Sequence, residues 1–289
     1  MFHQYTINST FRQQKAFACV FAVCCTLCYN TAISQRGLLI TMNETLFTGK
    51  AEAYTASRPS YSPEMIRFLY TDCGFSSQSV IADIGAGTGK FSQLLLEQGS
   101  FVYAVEPNED MRKQAQIQLA DFERKMLVNG SGEHTTLLEP VDFITCAQAF
   151  HWLEREAFRR ECRRILKPEG QVLLIWNIRD SKDPLNQGCE QIFRRYCSSF
   201  HGFSRGIFTD DLAIRSFFTS SFQYLEFDYD LTYCEAAFIQ RCLSSSYSLC
   251  KEDPGYFSYI QEFKALFASF QTDGAVHVGN KTVLYMGSV

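Results

Sequence analysis

From Ser79 onward short apolar runs alternate with amphipathic stretches, and the alternation has a regular grammar. Ser79–Ile84 (SVIADI) is an apolar run interrupted by one acid near its end, which predicts a buried parallel strand. A turn of three glycines follows, Gly85-Ala86-Gly87-Thr88-Gly89. Lys90 to Gln98 then places Phe91, Leu94 and Leu95 at helical spacing, with Gly99 as its stop. Phe101–Val105 predicts a second strand ending at Glu106-Pro107, and Asn108 is placed to cap a helix carrying Met111, Ala115 and Leu119. Lys125–Val128 and Val141–Ala147 predict the third and fourth strands. Glu154 to Leu166 reads as a charge-laced helix stopped at Lys167-Pro168-Glu169-Gly170, ahead of a fifth strand over Gln171–Trp176. Residues 184–221 read as helical and loop material, Glu235–Leu243 as a helix, and Phe222–Tyr229 and Thr282–Met286 as two final strands. Strands alternating with helices imply an open α/β sheet with parallel strands and right-handed crossovers.

The first 42 residues stand apart from this grammar. They contain Arg12, Lys15 and Arg36 and no acid, whereas the rest of the chain holds 24 basic against 31 acidic residues. Ala16–Tyr29 is an uncharged apolar run, too short for a membrane span of about 20 residues. It reads as a non-folding extension upstream of Met42, as a secretory or organellar signal with a poor cleavage site at Asn30-Thr31-Ala32, or as an anchor. Residues 43–289 are expected to form one domain, with 184–221 as a helical insertion covering a substrate. The whole chain is 46% hydrophobic with a net charge of -4, which supports a full core and argues against a protein that coats phosphate backbones. Beyond the extension the cysteines occur singly, as buried reduced thiols do in the cytoplasm.

The glycine turn carries the chemistry. In an open parallel sheet ligands sit beyond the carboxyl ends of the strands, and glycines let the backbone approach them closely. A dinucleotide turn needs G-x-G-x-x-G, but Lys90 occupies the third glycine position. A P-loop needs G-x-x-x-x-G-K-[ST], but Ile84 replaces its first glycine and Phe91 its hydroxyl residue. Glu106, 17 residues after Gly89, is placed to accept both hydroxyls of a ribose.

Asp83-Ile84-Gly85-Ala86-Gly87-Thr88-Gly89 followed by Glu106 resembles the first two motifs of the Rossmann-like S-adenosylmethionine-dependent methyltransferases. Leu166-Lys167-Pro168-Glu169-Gly170 is similar to the Leu-Lys-Pro-Gly-Gly turn of that class, with Glu169 in place of a glycine. Ala147-Gln148-Ala149-Phe150-His151-Trp152, and Tyr54 with Arg58-Pro59-Ser60-Tyr61, resemble a small-molecule subgroup, the type 11-like methyltransferases. The resemblance implies a seven-stranded, mostly parallel sheet with helices on both faces and an antiparallel C-terminal edge. It implies S-adenosylmethionine as cofactor, with Gly85, Ala86, Gly87 and Gly89 facing its methionine part. Asp83 would hold the turn or the ammonium, Glu106 the ribose, and Gly132 and Glu133 would flank the adenine. Gln148 would lie where the loop after the fourth strand passes the methyl donor.

Methyl transfer is an in-line displacement, for which the protein aligns the partners and excludes water. A hydroxyl acceptor also needs a proton acceptor, whereas a carboxylate does not. His151 is the candidate base, with a packed His151-Trp152 structural pair as the alternative. Tyr54 and Arg58 are candidates for a lid, with Arg58 pairing the cofactor carboxylate or a substrate acid, or else for a surface turn set by Pro59. Phe193, Phe200, Phe203, Phe208, Phe217 and Phe218 read as core with some pocket contribution, and no metal is expected at Glu133-His134. The leading function is methyl transfer to a small organic acid or hydroxyl acceptor, without nucleic acid or stable membrane association. The alternatives are a protein or nucleic-acid methyltransferase, disfavoured by Ala147–Phe150 where Asn/Asp-Pro-Pro-Tyr/Phe would stand, and a non-catalytic cofactor-binding scaffold.

Overall fold

Both faces of the first strand are covered, which is why its sequence is apolar except at Asp83 rather than alternating. A computed structural model describes residues 59–203, 211–219, 221–245 and 247–289. The N-terminal extension, Tyr54, Arg58 and Phe208 lie outside the described residues. Strand β1 (Val80–Ile84) pairs in parallel with β2 (Phe101–Val105) on one side and β4 (Val141–Ala147) on the other. Strand β3 (Lys125–Val128) extends the sheet beyond β2, and β5 (Leu166–Arg179) extends it beyond β4. Strand β9 (Asn280–Gly287) then runs antiparallel to β5, and β6 (Gln223–Asp228) antiparallel to β9. The seven-stranded order β3-β2-β1-β4-β5-β9-β6 is the expected mostly parallel sheet, with β9 alone reversed.

The pleat sends successive side chains to opposite faces, and a helical layer seals each one. On one face Ile81, Leu173 and Ile175 meet Met65 and Leu69 of α1 (Pro63–Asp72) and Phe91 and Leu95 of α2 (Lys90–Glu97). On the other, Ala82, Ile84, Leu174 and Trp176 meet Phe158, Cys162 and Ile165 of α4 (Arg155–Ile165) and Phe217 of α6 (Asp211–Phe217). Helix α3 (Glu109–Gln118) connects β2 to β3, and the Asn108 side chain caps it by accepting from the Met111 amide.

A further core lies outside the sheet. Helices α5 (Pro184–Tyr196), α7 (Glu235–Leu243) and α8 (Tyr256–Phe270) bring Phe193, Phe238, Tyr259 and Phe263 together beside the small antiparallel pair β7 (Leu231–Cys234) and β8 (Ala275–Val278). The material expected as a cover, 184–221, thus shares its core with residues far downstream. Helix α8 and the β7–β8 pair are absent from the elements expected above, although Tyr259, Phe263 and Phe267 recur every four residues, a helical signal. The expected core reading holds for Phe193, Phe200, Phe217 and Phe218, all buried, while Phe203 is half-exposed.

The expected turn at Lys167–Gly170 is instead a bulged start of β5. Helix α4 ends at Ile165, β5 begins at Leu166, and the pairing with β4 shifts register between Val141 and Phe143. Glu169 adopts a left-handed φ of 68° there, a conformation that costs a residue with a Cβ about 1–2 kcal/mol. Glu169→Gly should therefore stabilise the chain by about 1 kcal/mol, less than the full strain because glycine also loses more backbone entropy on folding. Urea unfolding of the two chains measures the difference.

Candidate active site

The order of strands reverses between β1 and β4, so their carboxyl ends flank an open crevice. Asp83, one residue from the end of β1, lies opposite Thr145 of β4 in the sheet register. Its carboxylate is buried and takes two hydroxyl hydrogen bonds, from Ser92 Oγ at 2.6 Å and Thr145 Oγ1 at 2.8 Å. Ser92 sits in the first turn of α2, so this one side chain ties both ends of the glycine turn to the neighbouring strand. Burial pushes the Asp83 carboxyl up to about 6, the two hydroxyls oppose this, and the nearby Glu106 charge adds to it. Of the two roles expected for Asp83, the geometry matches holding the turn.

The three turn glycines all have positive φ, at 66°, 58° and 83° for Gly85, Gly87 and Gly89, but for different reasons. A Cβ on Gly85 would lie 2.5 Å from the Ala149 Cβ, so the loop after β4 can pass only over a glycine. A Cβ on Gly89 would press on Leu119 at 3.0 Å, whereas one on Gly87 would meet nothing within 4 Å. The Gly85 and Ala86 amides both donate to the Val105 carbonyl at the end of β2. Glu106, nearly buried one residue further on, accepts from the Gly87 amide through Oε2 and from the Asn108 amide through Oε1, both at 2.9 Å. The Glu106 carboxylate is thereby fixed against the turn, at the mouth of the space beside Gly87.

The loop after β3 closes the next side. Gly132 packs so tightly that a Cβ would lie 2.8 Å from Leu153 and 3.1 Å from Ile84. Glu133 Oε1 accepts from the Glu154 amide at 2.7 Å, adding to the cap of α4. Further along, Glu161 accepts from the Thr135 amide and hydroxyl and from Arg164, which clamps the loop to α4. Gln148 follows β4 in a left-handed conformation, φ 58°, its amide donating to the Ile175 carbonyl and its Nε2 to the Asn177 carbonyl. His151 lies in the 3-10 turn Phe150–Trp152, with its Nδ1 sealed from solvent and its ring 4.7 Å from that of Trp152.

Sequence reading missed Asn177 and Arg179 on the last turns of β5. Asn177 donates to the Ser60 carbonyl at 2.7 Å and accepts from Thr282 Oγ1 at 2.7 Å, while Thr282 Oγ1 also accepts from the Ser62 amide. These bonds bring the segment before α1 to the carboxyl edge of the sheet, beside Gln148. The available signal was positional, since polar residues ending an apolar strand on the ligand side are candidates of the same kind as Glu106. Among the described residues no three His, Cys, Asp or Glu side chains gather as a metal set, and no helix is long and apolar enough to cross a membrane.

Two outcomes follow from this geometry. Gly85→Ala should lower stability by about 3 kcal/mol in urea unfolding, combining left-handed strain with overpacking against Ala149. The raised carboxyl of Asp83 means that the folded chain holds this proton more tightly than the unfolded chain. The stabilisation is complete below the unfolded value near 4 and is lost as pH rises through about 6. Unfolding free energies of the wild type and Asp83→Asn should therefore diverge in favour of the wild type as pH falls from 7 to 4.

The family model described as a methyltransferase domain matches residues 82–174, the stretch from β1 to the middle of β5. An uncharacterized methyltransferase of Schizosaccharomyces pombe is 32% identical over 148 residues, 49% of this chain and 56% of that protein. One from Mycobacterium tuberculosis is 34% identical over 137 residues, 47% of this chain and 54% of its own length. The chain thus spans about half the length of these relatives. A solved putative type II methyltransferase from Anaeromyxobacter dehalogenans has the same fold, with a TM-score of 0.58 and 21% identity over 80% of this chain and 97% of that one. An uncharacterized methyltransferase of Geobacillus kaustophilus is 30% identical over 186 residues, 61% of this chain and 81% of its own, and on that match the chain belongs to the methyltransferase family.

Proposed function

We propose that this chain transfers a methyl group from S-adenosylmethionine to a small organic acid or hydroxyl acceptor. The observation that carries the reading is the Glu106 carboxylate, held by the Gly87 and Asn108 amides beside a glycine whose missing side chain leaves open space. Carboxylate oxygens accept more than one hydrogen bond each, so a ribose diol can be received where the two amides already fix the group. The residues fit that cofactor in a second respect. Gly132 and Glu133, expected to flank the adenine, sit on a loop that Glu161 and the Glu154 amide hold to α4. When bound, the cofactor supplies a methyl on a positively charged sulfur, which becomes a neutral thioether as the acceptor takes the methyl.

The chain's own residues then have three tasks. The turn faces the methionine part and Glu106 holds the ribose, Gln148 in its left-handed conformation sets the path of the β4 loop past the reacting atoms, and the aromatic cover excludes water. For a hydroxyl acceptor, His151 takes the proton that leaves as the new C–O bond forms, and its sealed Nδ1 assigns that exchange to Nε2. A carboxylate acceptor has no proton to lose and makes no use of the imidazole base. The cysteines described are all free thiols, which supports a reducing, cytoplasmic setting.

Calorimetric titration of the full chain with S-adenosylmethionine and with NADH tests the reading. Binding of the first alone, weakened at least about tenfold in Glu106→Gln, is expected, because one of the two amides then faces an N–H₂ instead of an oxygen. Binding of NADH, or of neither, overturns it. Gly87→Ala should fold, at a strain cost of about 1 kcal/mol, yet lose cofactor affinity because its methyl enters the open space. With a hydroxyl acceptor, His151→Gln should lower kcat by about 10²–10⁴-fold and remove the acidic limb of the pH profile. With a carboxylate acceptor it should do neither.

A further inference from the structure

Arg179 closes β5 on the same edge of the sheet as Glu106 and Gln148, two residues beyond the Asn177 that Gln148 touches. At a strand rise of about 3.3 Å per residue, its Cα lies roughly 7 Å further out from the crevice, toward the aromatic cover. Its Nη1 is sealed from solvent and has no hydrogen-bond partner, and its guanidinium carbon lies 4.1 Å from the centre of the Phe203 ring. Arg241, near the end of α7, approaches from the cover, its guanidinium 5.2 Å from the Tyr233 ring. The two cations sense each other. Burial first, and then the charge of Arg179, pull Arg241 down to about 10.

No carboxylate answers them among the described residues. Asp183, whose charge acts on the neighbouring Cys189, is committed to the amides of Asn186 and Gly279. The other groups around the pair are thiols and phenols, Cys189, Cys242, Tyr233 and Tyr247. Cys189 registers the resulting field: the hydrogen bond from Cys242, and the two guanidiniums after burial has opposed it, pull its thiol below the ordinary value. Both guanidiniums are partly withdrawn from water and face rings instead of carboxylates, an electrostatic cost that a bound anion would relieve. A fold that keeps such a pair beside its crevice is preorganised for an anion.

We propose that Arg179 and Arg241 are the acceptor-binding residues of this enzyme, clamping the carboxylate of an organic acid whose flat apolar body lies along Phe203, Tyr233 and Tyr247. The assignment to an acceptor rests on the methyl-transfer reading above. A carboxylate clamped by two guanidiniums has its lone pairs committed to N–H donors, so the methyl goes to a second nucleophile of the same molecule. The substrate class is therefore an acid bearing a further hydroxyl or carboxylate.

Benzoate and its neutral isostere benzamide are the probes, titrated calorimetrically into the full chain, wild type, Arg179→Gln and Arg241→Gln, at fixed ionic strength. Benzoate should bind the wild type, benzamide should bind at least about tenfold more weakly, and each substitution should weaken benzoate by at least about tenfold. Arg241→Lys, which keeps the charge but loses the fork, should fall between and shows that the loss is not misfolding. Equal binding of the two probes, no benzoate binding, or benzoate binding unchanged by either substitution overturns the proposal. Titration of the same proteins with S-adenosylmethionine separates the two readings. Retained cofactor binding with lost benzoate discrimination removes the arginine clamp alone, and lost cofactor binding in the wild type removes the methyl-transfer reading.

Discussion

The buried Asp83 carboxylate is the constraint on which the site is built. It stands in an interior strand with no cation beside it among the ion pairs described, and two hydroxyls, Ser92 from the helix and Thr145 from the next strand, make its burial tolerable. Those two bonds fix the start of α2 relative to β1 and β4, and hence the path of the glycine turn between them. The raised titration of Asp83 is the signature of that arrangement, since hydroxyl donors compensate only part of the cost of removing a charge from water.

From that anchor the turn is propagated by backbone rather than side chains. Val105 receives two amides from the turn, and Glu106 receives one from the turn and one from its own following segment. Glu106 is thus part of the scaffold as well as the proposed ribose acceptor. Left-handed conformations gather here for a packing reason. Gly85 yields to Ala149, while Gln148 carries the strain of turning the β4 loop back across the crevice.

The second core sets the other boundary. Its aromatic interior is built from α5, α7 and α8, elements separated in sequence by the edge strand β6. Arg241 belongs to α7 of this core and Arg179 to β5 of the sheet, and the charge of Arg179 acts on Arg241.

Much of this was legible along the chain. The bounds of β2, β3, β4 and α7, the capping role of Asn108, and the place of the glycine turn all follow from local patterns, because they depend on residues within one turn or one strand of each other. The likeness of Lys167–Gly170 to a glycine turn misled about its form, since a register shift against β4 is a property of two strands and not of one. The partners of Asp83, the use of Glu133 to cap α4, and the packing of α8 and the β7–β8 pair against α5 were decided only in three dimensions. Each depends on which distant segments the packing brings together, and sequence periodicity records which face of an element is buried but not what it is buried against.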